Sequence, residues 1–433
     1  MFGNLTFSKA AMLLAVCSLW SYVNAKSVYC HYMIATVNPD NAQKDIDQAK
    51  ALGFDAFALN IGQPSAPWAV GTVKALFDYA DSTGFKLFFS LDFYQTADLN
   101  AYTDLLKGYI GRPAYLTAGP NNHPVISMFS VGSHSADDFQ SWKQNTFNGN
   151  IYFLPNADNS PGYSNPQTWF QTWGKVVDGV FGWETAWPTQ GTTPANVSID
   201  FDTAVQNEAR ANSKTYMAPM SSLQFKACCG GHYYRVDEIN LPQRMELLLK
   251  MQPDFVEVLT WNDAGESHYI GNNWKEGLTD DVWAYSNPTD WAHHAWQPLI
   301  NSFTSAFKGN GSMVPPGGSR AVGAMWYRPV LKSASCQKPD NWQSALDAVN
   351  YAVIVAKNVT SPRIRVTTGN GKVLSDTPAK VGLNYAAVLG VQSGPQKVEL
   401  LSGNVTMMTA TSIADITADS SDCVFNYKVV GLA

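Results

Sequence analysis

The sequence has little charge and no basic runs. Charged residues make up 15 % of the 433 residues, and 29 Lys and Arg against 35 Asp and Glu give a formal net charge of -6. Nucleic acids and acidic membrane surfaces bind proteins through clustered Lys and Arg. We therefore expect neither nucleic acid nor a membrane as a partner.

Motifs of three common enzyme classes are also absent. The sequence has no Gly-x-Ser-x-Gly elbow, no His-Glu-x-x-His zinc motif and no phosphate-binding loop. The first strand-like run is not followed by the glycine fingerprint of a dinucleotide-binding fold. Acyl, phosphoryl and hydride transfer thus lack their usual parts, and we predict no metal and no cofactor.

A long apolar run occurs only at the start of the chain. Residues 10–20 are mostly apolar, follow Lys9 and lead to Val23, Asn24 and Ala25. This is the pattern of a secretory signal peptide over residues 1–25. Sequons stand at Asn196, Asn310, Asn358 and Asn404, and their number agrees with a secreted glycoprotein. We expect a soluble monomer that is extracellular or held in a cell wall.

Cysteines are few, and their number leaves one without a partner. Six are present, and five remain once Cys17 leaves with the signal peptide. We expect a disulfide between Cys336 and Cys423. The adjacent Cys228 and Cys229 are either a vicinal disulfide or the source of a bond to Cys30, and the sequence does not choose between these.

Aromatic residues, by contrast, are abundant: 14 Trp, 19 Tyr and 21 Phe. They favour a large packed core and apolar faces on which a neutral sugar stacks. Large secreted domains are commonly rich in aromatic residues, so composition gives this interpretation support only.

Between about 28 and 310, strand-like runs alternate with amphipathic helical segments. Eight such runs occur, at 29–37, 55–62, 84–93, 123–132, 150–158, 180–184, 213–222 and 256–262. Alternation of this kind is typical of parallel β/α units. It predicts an α/β fold, a (β/α)₈ barrel of the TIM type over residues 26–310, in preference to an open doubly wound sheet.

The texture of the sequence changes after the barrel segment. Residues 311–320 are rich in Pro and Gly and read as a linker. Residues 321–433 contain short alternating segments separated by turn residues, which predict a smaller all-β, sandwich-like domain. We expect a structural or sugar-binding accessory role for it.

The predicted barrel brings the polar residues at its strand ends into one cleft, since active sites of this fold lie at the C-terminal ends of the strands. Carboxylates and Trp predominate among them. The candidates are His31, Asn60, Asp92, Asn156, Asp158, Trp183, Glu184, Trp187, Ser221 or Ser222, Trp261, Asn262, Asp263, Glu266 and His268. Such a set suits glycoside hydrolysis, which needs two carboxyl groups, further groups to hold hydroxyls and aromatic faces for stacking.

Each candidate also has a purely structural interpretation. Asp263 and Glu266 have the spacing of a capped helix start, and either Glu184 or Asp92 is equally well an ion-paired carboxylate at a strand end. His31 and His268 are more often satisfied core or rim histidines than sugar ligands. The segment 226–238 walls the cleft or is an ordinary surface loop. The position of Asp263 and Glu266 after the last barrel strand favours catalysis for that pair.

Several strings resemble a known family. GFDAFALNIG, GFKLFFSLDF, HPVISMFS, DGVFGWETAWP, YMAPMS and above all QPDFVEVLTWNDAGESHYIG are similar to fungal α-1,3-glucanases (mutanases) of glycoside hydrolase family 71. The resemblance runs through about 28–300. It implies a glucan endo-1,3-α-glucosidase that cleaves α-1,3-glucan with inversion at the anomeric carbon and without a cofactor.

The resemblance also assigns roles. It makes Asp263 and Glu266 the essential acid pair, and Asp92 a residue that binds sugar or supports the pair. We assign Glu266 as general acid and Asp263 as general base, and inversion predicts carboxyl groups roughly 6.5 to 9.5 Å apart. Glu184 stands where the family has Asp and is followed by an extra Thr185, so its role does not carry over.

Two other functions fit the same residues. One is a glycosidase of a different glucan linkage. The other is a non-catalytic wall-binding protein that has kept the cleft without turnover, but retention of both Asp263 and Glu266 disfavours it.

Overall fold

The predicted barrel is confirmed. The computed structural model describes residues 26–235, 238–309 and 311–433, so the predicted signal peptide and the sequon at Asn310 lie outside the described residues. Eight parallel strands form the barrel: β1 (Ser27–Met33), β2 (Ala56–Ile61), β3 (Lys86–Asp92), β5 (His123–Phe129), β6 (Tyr152–Pro155), β7 (Gly179–Phe181), β8 (Thr215–Ser221) and β11 (Phe255–Leu259). Three antiparallel strands accompany them: β4 (Thr117–Ala118), β9 (Gln224–Cys228) and β10 (Gly231–Arg235).

The sheet closes on itself at two seams. At the first, β1 pairs in parallel with β11, for instance Tyr29 with Glu257. At the second, β6 meets β7: the Ala157 N–H donates to the Phe181 carbonyl over 3.2 Å and the Asp178 N–H to the Phe153 carbonyl over 2.9 Å. Closure leaves no free edge along the barrel wall, so the strands' C-terminal ends form one rim.

Helices follow the strands. They are α1 (Pro39–Ala51), α2 (Pro67–Thr83), α3 (Thr103–Tyr109), α4 (Ala136–Phe147), α5 (Pro166–Trp173), α6 (Asp200–Ala211), α7 (Asn240–Met251), α8 (Asp280–Ala284) and α9 (Gln297–Lys308). Gly84 ends α2 with a left-handed φ of 75°, a conformation that favours glycine. No helix among the described residues has both the length and the apolar character that a bilayer crossing needs.

The C-terminal part is a sandwich of two antiparallel sheets. Their strands are β12 (Ala321–Tyr327), β13 (Ala348–Val355), β14 (Pro362–Thr368), β15 (Lys372–Pro378), β16 (Gly382–Leu389), β17 (Gln396–Ser402), β18 (Val405–Thr411) and β19 (Lys428–Gly431). One sheet has the order β16-β13-β12-β19 and the other β15-β14-β17-β18. Met325, Val353 and Leu400 are among the side chains that fill the space between them. The predicted all-β part is therefore present, while the exact limits of the domains stay a prediction.

The sandwich packs directly against the barrel. The β12 strand sends alternate side chains to opposite faces, so Met325 enters the sandwich core while Trp326 joins the core of the barrel. Trp326 donates its indole N–H to the Glu238 carbonyl over 2.7 Å and lies 5.8 Å from the ring of Trp296. The predicted disulfide between Cys336 and Cys423 is present.

Candidate active site

The segment after β11 folds back along the strand ends as a loop. The Trp261 N–H donates to the His31 carbonyl over 2.7 Å, and the Ile270 N–H donates to the Thr260 carbonyl over 3.0 Å. Asp263 Oδ1 accepts the Glu266 N–H over 2.9 Å, as a helix cap would, but the next helical turn begins only at Lys275. The helix-start interpretation of this pair is therefore wrong.

Asp263, Glu266 and His268 form one compact group in this loop. The buried Nε2 atom of His268 lies 3.3 Å from Glu266 Oε2 and 3.6 Å from Asp263 Oδ2. One polar atom of each residue lies within 4.8 Å of the others. The structure thus brings together the two predicted catalytic carboxylates, and the separation of roughly 6.5 to 9.5 Å between their carboxyl groups stays a prediction.

A hairpin made of β9 and β10 supports Glu266 from the side. Gln224 Nε2 donates to Glu266 Oε2 over 2.8 Å, and Lys226 Nζ lies 3.2 Å from Glu266 Oε1. The Phe225 N–H donates to the Glu266 carbonyl over 3.0 Å, which fixes the register between hairpin and loop. Gln224 and Lys226 are not among the site residues predicted from the sequence, where segment 226–238 is interpreted as a wall of the cleft or a surface loop. The one sign of them in the sequence is that Lys226 stands within a mostly apolar run, where a lysine needs a partner.

The surroundings separate the two carboxylates electrostatically. Burial raises the pKa of Asp263 above its ordinary value, and the negative charge of Glu266 adds to this. Burial opposes ionisation of Glu266 too, but hydrogen bonds from His268 and Gln224 and the charge of Lys226 hold its pKa below the usual range. A general acid must be protonated and a general base ionised. These shifts favour Asp263 as the acid and Glu266 as the base, the opposite of the predicted assignment, and the roles of the two residues stay a prediction.

The same three residues are close enough to ligate one metal ion, but their chemistry does not suit one. Burial alone would lower the pKa of His268, whereas the charges of Asp263 and Glu266 raise it and favour the protonated ring. A metal needs an unprotonated imidazole nitrogen, and the ammonium of Lys226 would repel a cation at Glu266. The group fits acid–base chemistry better than metal binding.

A buried side-chain contact joins the interiors of β1 and β11. His31 Nδ1 is 2.6 Å from Glu257 Oε1, and both side chains are buried. Burial raises the pKa of Asp92 at the end of β3, while His31 opposes that shift. Asn60, the last residue but one of β2, pairs with Met33 of β1. Substrate contact by Asp92 and Asn60 stays a prediction, but His31 is fully buried and is not exposed to a sugar in this structure.

A row of aromatic rings runs from Tyr94, near Asp92, to the loop after β11. The ring centroids of Tyr94 and Phe129 are 5.6 Å apart, and those of Phe129 and Trp183 are 4.7 Å apart. The centroids of Trp183 and His268 are 6.1 Å apart. Tyr94 is 67 % exposed, and the sequence did not single it out. Trp183 and Trp187 are mostly buried, so sugar stacking on them stays a prediction. The same role is wrong for Trp261, which is fully buried in the core beside Phe57.

Other candidates hold the backbone instead of facing the cleft. The side-chain amide of Asn262 binds the backbone of Met33. It accepts the Met33 N–H over 2.8 Å and donates to the Met33 carbonyl over 3.0 Å. Asp158 Oδ2 accepts the N–H groups of Trp183 and Glu184 over 2.6 and 2.8 Å, and burial raises its pKa to about 6. These bonds correct the substrate-binding roles predicted for Asn262 and Asp158.

The remaining candidates lie at the rim or in the core. Glu184 pairs with Arg235 over 2.8 Å, and the guanidinium of Arg235 lies over Trp187. The side chain of Glu184 is 61 % exposed, so the ion-pair interpretation fits Glu184. Ser221 donates to the Leu259 carbonyl over 2.6 Å. His268 is fully buried and acts on the two carboxylates, so a direct sugar contact does not fit it.

Three curated proteins are similar to this chain over most of its length. A mutanase from Penicillium rubens is 29 % identical over 93 % of this chain and 88 % of the relative. A glucan endo-1,3-α-glucosidase from Schizosaccharomyces pombe is 31 % identical over 75 % of this chain and 76 % of the relative. An ascus wall endo-1,3-α-glucanase from the same yeast is 28 % identical over 95 % of this chain and 98 % of the relative.

The fold has a solved counterpart. A family GH99 endo-α-mannosidase from Bacteroides thetaiotaomicron aligns with a TM-score of 0.51 and 11 % identity, covering 65 % of this chain and 97 % of that chain. At that identity the likeness concerns the barrel alone. The model of glycosyl hydrolase family 71 matches residues 24–432, and the chain belongs to that family.

Proposed function

We propose that this glycoside hydrolase cleaves internal bonds of α-1,3-glucan. The observation that carries the proposal is the group formed by Asp263, Glu266 and His268 at the end of β11, where two carboxylates share one histidine and have opposite pKa shifts. Two carboxyl groups of unequal acidity are the parts that glycoside hydrolysis needs. The names of the three relatives support α-1,3-glucan as the substrate.

In this proposal Asp263 donates the proton to the leaving glycosidic oxygen. Its raised pKa keeps the proton available at a pH at which a free aspartate has lost it. Glu266 stays ionised through its contacts with His268, Gln224 and Lys226 and takes the proton of the attacking water. His268 is a positioning residue, because it lies between the two carboxylates and is closed to solvent.

We also propose inversion, which the family resemblance implies. Inversion needs room for a water molecule between the acid and the base. One oxygen of Asp263 and one of Glu266 lie within 4.8 Å of each other, so both carboxyl groups are near enough to act on one glycosidic bond. Retention would instead need one carboxylate to attack the anomeric carbon, so the anomer formed first distinguishes the two courses.

The same proposal includes action outside the cell or in its wall. It is supported by the signal-peptide pattern over residues 1–25 and by the relative named for the ascus wall.

A panel of polysaccharides tests the proposed substrate. The purified protein is incubated with insoluble α-1,3-glucan, with an α-1,4-glucan and with β-1,3- and β-1,4-glucans, and new reducing ends are counted. The proposal requires release from the α-1,3-linked polymer well above the others. Release from a β-linked glucan alone would overturn the substrate, and binding to α-1,3-glucan without release would overturn hydrolysis.

A further inference from the structure

Two adjacent cysteines lie at the turn of the hairpin that supports Glu266. Cys228 ends β9, and Cys229 and Gly230 form the turn. The Sγ atoms of Cys228 and Cys229 are 2.8 Å apart. Cys229 has a φ of 57° and Gly230 a φ of 80°. A φ of this sign is uncommon for a residue with a side chain, and here it turns the Cys229 thiol toward its neighbour.

The other described cysteines are occupied or inaccessible. Cys336 and Cys423 are joined in a disulfide, and Cys30 is buried in β1. Cys229 is exposed and Cys228 is buried beside it, so the solvent and its solutes reach this pair through Cys229. If Cys228 and Cys229 pair with each other, Cys30 is the one described cysteine that stays unpaired.

We propose that Cys228 and Cys229 are a redox site that closes into a vicinal disulfide by exchange with a small-molecule disulfide. The exposed Cys229 thiolate attacks the disulfide, forms a mixed disulfide and releases one thiol. The Cys228 thiolate then displaces the second thiol and forms the Cys228–Cys229 bond. The two cysteines lose two protons and two electrons, and the small molecule is reduced to two thiols.

The bond is expected to be easily reduced. Adjacent Cα atoms are about 3.8 Å apart, below the roughly 4.4–6.8 Å of ordinary disulfides, whereas the Cα atoms of Cys336 and Cys423 are 5.4 Å apart. Strained or exposed disulfides are the labile ones. Burial and the hydrogen bond with Cys229 raise the pKa of Cys228 to about 11, so the exposed Cys229 attacks first and Cys228 follows.

The site touches the catalytic loop directly. Cys228 Sγ lies 4.0 Å from the carbonyl oxygen of Gly265, the residue before Glu266, and the Tyr285 hydroxyl donates to the same oxygen over 2.9 Å. Lys226, which pairs with Glu266, is two residues before Cys228 on the same strand. Closing the ring at the turn restricts this strand and holds the Lys226 ammonium against the carboxylate.

Peptide mapping tests the redox site without any substrate, so its result is independent of the proposed function. The protein is incubated with glutathione disulfide, free thiols are alkylated, and trypsin releases the peptide 227–235. We expect this peptide to be unalkylated and lighter by two hydrogens than the reduced form, and to become doubly alkylated after mild reduction. A peptide with two alkylated cysteines, or with separate glutathione adducts, after oxidation would overturn the proposal.

Activity measurements test the coupling to Glu266 and rest on the proposed hydrolysis. We expect kcat/KM on α-1,3-glucan to be about two- to fivefold higher in the oxidised protein, the range that a weakened ion pair supports. Cys228→Ser and Cys229→Ser should lose this redox response, and Cys30→Ala should keep it. As a control, peptide mapping must show that the Cys336–Cys423 disulfide stays intact in both the oxidised and the reduced protein. Equal rates in the two mapped states would contradict the coupling.

Discussion

Lys226 Nζ lies 3.2 Å from Glu266 Oε1, although the two residues are forty positions apart and belong to different elements. Lys226 comes from β9, which follows the strand β8, and Glu266 comes from the loop after β11. The hairpin therefore adds a positive charge to a site whose carboxylates stand at the strand ends. This charge favours the ionised form of Glu266 that the proposed base requires.

Replacing Lys226 by Met tests this contribution. The variant removes the ammonium and keeps most of the apolar stem, so the pKa of Glu266 should rise and kcat/KM below the optimum should fall by up to about fivefold. Lys250→Met is the matched control, because Lys250 is an exposed lysine paired only with Glu246 across one helical turn. Equal acid limbs in the pH profiles of wild type and Lys226→Met would contradict the role of Lys226.

The pH profile of the wild type follows from the two shifted carboxyl groups. The rate should fall at high pH as Asp263 loses its proton, and this loss occurs above the ordinary aspartate range because burial raises the pKa. It should fall at low pH only as Glu266 becomes protonated, below the ordinary glutamate range, because His268 and its other partners lower the pKa. The profile of kcat/KM reports these groups in the free enzyme.

His268→Gln should shift both limbs of that profile. The charge of His268 favours the ionised forms of Asp263 and Glu266, so its removal raises both pKa values and moves both limbs to higher pH. A limb that stays in place in this variant would show that its titrating group is not one of the two carboxylates.

The barrel and the catalytic loop could be predicted because their signals are local. Apolar strands of six or seven residues, glycine stops such as Gly84 and the polar residues that follow β11 stand in the sequence in chain order. The disulfide between Cys336 and Cys423 also followed from position along the chain.

The chemistry around the loop could not be predicted, because it depends on contacts between distant segments. Gln224 and Lys226 reach Glu266 only through the pairing of the Phe225 backbone with the loop. Asn262 and Trp261 carry the residue types of a sugar site, yet Asn262 binds the backbone of Met33 and Trp261 fills the core. Residue type alone does not distinguish a side chain that faces the substrate from one that is buried behind the site.

Tyr94 is expected to bind a glucosyl unit away from the point of cleavage. Its ring is exposed at the open end of the aromatic row, and its hydroxyl accepts a bond from Asn159 over 3.2 Å. Tyr94→Ala should raise KM on α-1,3-linked oligosaccharides by about two- to tenfold, the equivalent of one aromatic contact. Tyr94→Phe keeps the ring and should stay near the wild type. A KM that does not change in Tyr94→Ala would remove Tyr94 from the site.

The proposed inversion is tested by the anomer released first. Proton NMR in the first minutes of hydrolysis of an α-1,3-linked oligosaccharide should show the β-anomer ahead of mutarotation, since water attacks the face opposite the leaving group. An initial α-anomer would mean retention, with one of the two carboxylates acting as nucleophile.

The most direct test of the central claim is hydrolysis of insoluble α-1,3-glucan by Asp263→Asn and Glu266→Gln, measured as reducing ends and compared with the wild type. Both amides keep the side-chain shape, and circular dichroism and thermal unfolding verify the fold. Because acid–base groups commonly contribute about 10²- to 10⁴-fold, each variant should lose at least about a hundredfold of the wild-type rate. Near-normal release by both folded variants would contradict the assignment of these two carboxylates as the catalytic pair.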